Sequence, residues 1–241
     1  MKFSRLLVAA VMSLSAASFA QQNCAYTFTW TKAPSFSFCV TSDGTIGMIQ
    51  SPIGTNHLDA TNPVEGFAWY ISDNGGGTSA GSQIPGLGET NAGLPAFTEP
   101  KGAGTLPLIA SWKDFGFKET ISANPMERTI TINFDIADCG PGCEWEGYFS
   151  RAANPELDGT KINSYGSSSW AGFAFLNHGL MLSMPETSPG CGGIDPAGAS
   201  TSVYESCGGQ PFTGTGAVYG DSFFSTEHTH HAAFTFTYRV F

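Results

Sequence analysis

Near its C-terminal end the chain carries its densest set of metal-ligating side chains, Glu227-His228-Thr229-His230-His231. Side chains two residues apart in a strand share a face. If a strand begins early here, His228 and His230 therefore project together, and an imidazole pair of that kind grips zinc or copper. His231 stands beside them, with His57 or His178 as a further ligand; a solvated polar turn ahead of a terminal strand is the competing description. Upstream, Asn154-Pro155-Glu156-Leu157-Asp158-Gly159-Thr160 sets side-chain oxygens at alternate positions before a glycine, as the first half of a calcium loop does. The pattern departs from such a loop at its twelfth position, where Tyr165 replaces the bidentate Glu, and at Pro155, which stiffens it. The metals to look for are therefore calcium at Asn154, Glu156 and Asp158, or zinc at His228, His230 and His231.

Nucleophile motifs are present without their context. Gly77-Thr78-Ser79-Ala80-Gly81 matches the G-x-S-x-G elbow, which works only on a sharp turn from strand to helix. The following Ser82-Gln83-Ile84-Pro85-Gly86 cannot start a helix of useful length. Gly220-Asp221-Ser222 resembles a serine-protease environment, but Phe223 stands where the glycine beside the oxyanion hole belongs. Glu144, Glu146, Glu156 and Asp158 offer carboxylates for glycoside hydrolysis, a chemistry that needs two of them about 5 to 9.5 Å apart. No catalytic residue is assigned on these grounds. Trp69, Trp112, Trp145 and Trp170 with Tyr70, Tyr148 and Tyr165 supply either core volume or a platform for stacking sugars, core being the commoner fate of such rings.

The elements that must position these residues are strands. Period-two alternation recurs in Tyr26-Thr27-Phe28-Thr29-Trp30, Phe36-Ser37-Phe38-Cys39-Val40, Thr129-Ile130-Thr131-Ile132-Asn133-Phe134 and Phe234-Thr235-Phe236-Thr237-Tyr238-Arg239-Val240, placing large apolar groups on one face. Further strands are expected over 45–50, 67–72, 108–121 with a turn near Asp114, 145–150, 170–176, 180–184 and 201–206. No stretch beyond the first twenty residues keeps a helical period. Residues 73–105, rich in Gly, Ser and Pro, read as a long loop. So many strands broken by Gly and Pro predict an all-β fold, a single-domain antiparallel β-sandwich or related open barrel spanning residues 21–241.

The first twenty residues have the form of a cleavable export signal: Lys2 and Arg5, a short apolar run, then Ser18 and Ala20 at the cleavage positions. The expected destination is secreted or periplasmic. Six cysteines, Cys24/Cys39, Cys139/Cys143 and Cys191/Cys207, fall in three local pairs that suit disulfides in such a compartment. Ala33-Pro34 reads as a turn that brings Cys24 and Cys39 near each other. Removing Lys2 and Arg5 leaves 8 Lys plus Arg against 20 Asp plus Glu, a formal charge of −12. Nucleic acid and anionic lipid are poor partners for such a surface. The functional expectation is a non-catalytic extracellular binding or structural module for a carbohydrate or cell-envelope component. Its alternatives are a metal-dependent hydrolase built on His228 and His230, and an outer-membrane β-barrel ending at Phe241.

Overall fold

A computed structural model of the protein describes residues 24–58, 65–73, 77–83, 92–113, 116–137, 145–158, 160–161, 165–167, 170–183, 198–201, 218–225 and 231–241. Among these, every regular element is a strand, and every strand pairing is antiparallel. The smallest of the three main sheets has the order β1 (Cys24–Trp30), β2 (Phe36–Thr41), β3 (Ile46–Gln50). A five-stranded sheet runs β16 (Gly198–Thr201), β17 (Val218–Ser225), β10 (Trp145–Ala153), β4 (Glu65–Asp73), β5 (Thr78–Gln83). The eight-stranded sheet runs β13 (Tyr165–Ser167), β14 (Trp170–Phe175), β15 (His178–Ser183), β18 (His231–Val240), β9 (Thr129–Ala137), β8 (Phe117–Asn124), β7 (Leu108–Ser111), β6 (Ala96–Thr98). A two-stranded ribbon, β11 (Glu156–Leu157) with β12 (Thr160–Lys161), completes the set.

Alternation decides which side chains face inward. Ile130, Ile132, Phe134 and Ile136 on β9 are fully buried, while Asn133 between them is exposed. Phe234, Phe236, Tyr238 and Val240 do the same on β18. Against them β4 and β10 turn Phe67, Trp69 and Phe149. The facing sheets meet in a run of rings: Phe67 to Phe134 at 4.9 Å, Phe134 to Phe149 at 4.2 Å, Phe149 to Phe234 at 5.3 Å between centroids. Buried rings of this kind carry much of the core's hydrophobic free energy, about 1.5–3 kcal/mol for each fully buried Phe. β2 is buried along its whole length, and Phe36, Phe38 and Val40 belong to the same core as the two larger sheets. The result is antiparallel sheets packed face to face, in agreement with the sandwich expected from the pattern.

A closed membrane barrel is not what the pairing describes. The eight-stranded sheet ends at β13 on one side and β6 on the other, and its inward face is apolar. A barrel must close, with the apolar face outward. Trp69 and Trp112 are core residues at 3% and 2% exposure, so neither serves as a sugar platform. The segment 73–105 contains two strands, β5 and β6, rather than a single loop. β5 is Thr-Ser-Ala-Gly-Ser-Gln, an edge strand with no large apolar side chain to show a period. The expected strand at 201–206 is met only at Thr201, where β16 ends; residues 202–206 lie outside the described set.

Cys24 and Cys39 are joined across the β1–β2 hairpin with Cα atoms 5.6 Å apart, around a turn that contains the Ala33-Pro34 bond. Cys139, Cys143, Cys191 and Cys207 lie outside the described residues. No helix among the described residues is long and apolar enough to cross a membrane.

Candidate functional site

The fold brings four titratable groups together in the interior. Glu65 opens β4, Glu119 lies on β8, Arg151 on β10 and Tyr238 on β18, and all four are 0% exposed. Each sits in phase with apolar neighbours: Glu65 with Phe67 and Trp69, Glu119 between Phe117 and Ile121, Arg151 between Phe149 and Ala153, Tyr238 between Phe236 and Val240. Strand geometry thus carries the charges into the core with the rings.

Glu65 is the hub. Its Oε1 accepts from Arg151 Nε and from the Tyr238 hydroxyl at 2.9 Å. Its Oε2 accepts from Arg151 Nη2 at 3.1 Å and from the Ile46 backbone N–H on β3 at 2.6 Å. One carboxylate therefore binds groups from all three main sheets, and the Arg–Glu contact is bidentate, the strongest form of this pair. Glu119 is held less well. Its Oε1 stands 3.3 Å from Arg151 Nη2, an ion pair outside hydrogen-bond alignment, and neither of its oxygens has a hydrogen-bond partner. Burial pushes the Glu119 carboxyl up to about 7, with Glu65 adding to the rise and Arg151 opposing it. The Tyr238 hydroxyl is also pushed up by burial, while the two glutamates outweigh burial at Arg151 and hold its charge more firmly. The arrangement can order the sheets and hold a proton at Glu119. With no exposed atom it cannot meet a substrate.

A second polar locus lies where residues 56–58 meet the segment after β10. Leu58 bridges to Pro155, Glu156 N donates to His57 O at 3.0 Å, and Asp158 N donates to Asn56 O at 3.2 Å. Asp158 Oδ1 accepts from Asn56 N at 2.8 Å. The stretch read as half a calcium loop is thus laid along residues 56–58, with Glu156 buried in β11 and Asp158 exposed at a φ of 46°. His57 is fully buried, its ring 6.2 Å from Phe173 and 5.7 Å from His178. Burial, then His178, lowers its pKa to about 4, so the ring is neutral at physiological pH.

His228 and His230 lie outside the described residues; His231 begins β18 opposite Ala137. Leu180 pairs with Val240 at the far end of β18, which sets His178 roughly 30 Å from His231 at ~3.3 Å per residue. Among the described residues no three His, Cys, Asp or Glu side chains converge as a metal site. Ser79 lies inside β5 opposite Ile71, not on an elbow, and Ser222 lies inside β17. Glu144 is outside the described residues, and Glu146 lies on β10 opposite Ser72.

The buried cluster matches no sequence motif. Its signal was nevertheless present: a charged residue at the apolar phase of an alternating strand, as in Phe117-Lys118-Glu119-Thr120-Ile121. No protein-family model matches the chain, and no curated protein matches its sequence.

Proposed function

We propose that this chain is an exported, non-catalytic β-sandwich module that recognises a neutral carbohydrate of the cell envelope or extracellular matrix. The observation that carries this reading is an exposed tyrosine, Tyr70, on the five-stranded sheet. Tyr70 on β4 is 39% exposed, and its register partners are Tyr148 on β10 and then Phe223 on β17. Residues directly opposite in an antiparallel sheet share a face. Three successive strands span about 9.5 Å, on the scale of a disaccharide. A ring exposed as that of Tyr70 is offers an apolar face to the C–H faces of sugars, as Tyr does where one side must stay wet. Ser72, Glu146 and Ser225 occupy the neighbouring register row. A formal charge of −10 over the whole chain favours a neutral polymer over an anionic one. The burial of Glu65, Glu119 and Arg151 supports the non-catalytic part of the reading, since the acid pair brought together by the fold is sealed.

The test is co-sedimentation of the mature chain with insoluble neutral polysaccharides. Tyr70→Ala is expected to weaken binding by about 0.5–1.5 kcal/mol, roughly two- to thirteenfold. Equal retention of the variant would remove Tyr70 from the account.

A further inference from the structure

His57 is an unusual core residue. Its ring is fully buried, and neither Nδ1 nor Nε2 has a partner in strict hydrogen-bond geometry, although the backbone at Thr55 and Ile49 lies beside it. Buried polar atoms are nearly always satisfied, and an exception points to a water or an ion. The ring faces one other imidazole, that of half-buried His178, with centroids 5.7 Å apart and planes inclined at 55°. An ion bonded to two imidazole nitrogens at ~2.0–2.1 Å holds the ring centres roughly 5–6 Å apart, which brackets this spacing. The inclination rules out a stacked pair.

The surroundings fit the same chemistry. The backbone at Thr55 and Ile49 lies close enough to the His57 ring to oppose the fall in its pKa. The Asp158 carboxylate adds negative charge nearby and is fixed by its bond to Asn56 N. His178 opens β15 immediately after the turn at Leu176 and Asn177, at the surface end of the sheet, which gives an ion a way in. We propose that His57 and His178 form a two-imidazole site for a borderline divalent transition ion of the zinc class, with solvent completing the coordination. Hard ions such as calcium, which demand oxygen ligands, do not suit it.

The experiment is a thermal melt of the mature chain with and without zinc, then with EDTA. It is run in a background carrying His228→Ala, His230→Ala and His231→Ala, so that the C-terminal imidazoles cannot supply the signal. An ion that binds only the folded state raises the melting temperature in proportion to its occupancy. Zinc is expected to raise it, EDTA to reverse the rise, and His178→Ala to lower the apparent zinc affinity at least about tenfold. His178 is half-buried at the surface end, and its replacement leaves the core intact. Calcium is expected to have no effect. A melt that zinc does not move, or moves equally with His178→Ala, overturns the proposal and leaves His57 as a neutral core ring packed on Phe173.

Discussion

Replacing Glu119 with Gln should erase a specific part of the protein's pH dependence. Glu119 is 0% exposed, and its carboxyl is raised from 4.5 to about 7, chiefly by burial. The folded state therefore keeps a proton that the unfolded chain releases between those values. For an acid raised in this way, the sign of linkage makes the contribution fully present below pH 4.5 and lost as pH rises through about 7. A gap of about 2.5 pK units at ~1.36 kcal/mol each corresponds to about 3 kcal/mol. Gln mimics the protonated acid and does not titrate. Urea midpoints measured for both proteins from pH 4.5 to about 8, with m unchanged, isolate this term from every other carboxylate. Wild type is expected to lose about 3 kcal/mol relative to Glu119→Gln across that window. Parallel curves for the two proteins would refute the reasoning, because Glu119 would then titrate alike folded and unfolded.

Two further outcomes follow from the same interior. Arg151 is the one cation within reach of Glu65 and Glu119 among the described residues, so Arg151→Met leaves two buried acids facing each other; equilibrium unfolding at neutral pH should show a loss of about 3–5 kcal/mol, and a loss below about 1 kcal/mol would contradict the ion-pair geometry. The Cys24–Cys39 bridge closes a separation of 15 residues, so Cys24→Ala with Cys39→Ala should cost about 3 kcal/mol, read as a lowered urea midpoint, and an unchanged midpoint would contradict it.

The strands were legible where large apolar residues alternate with polar ones, as in β9 and β18, because one face of each is buried against another sheet. They were illegible where both faces take small residues. β5 shows this, and its place at a sheet edge, beside β4 alone, leaves it no apolar stripe to display. The first disulfide followed from a turn and a short separation. The interior cluster was not read from the sequence, since Glu65, Glu119, Arg151 and Tyr238 come from strands up to 173 residues apart, and only their pairing brings them together. Their one local mark is a charge standing in the apolar phase of a strand. Tyr70 and Tyr148 are visible in the sequence as aromatic residues, but only strand register aligns their positions with that of Phe223.

The most direct test of the account is one assay with two readouts. The protein is incubated with an insoluble neutral polysaccharide, and bound protein and released soluble sugar are measured together for wild type, Tyr70→Ala and Glu119→Gln. The account predicts retention of wild type and Glu119→Gln, weakened retention of Tyr70→Ala, and no soluble sugar from any of them. Release of sugar by wild type that disappears in Glu119→Gln would contradict it, because the sealed acids would then be catalytic.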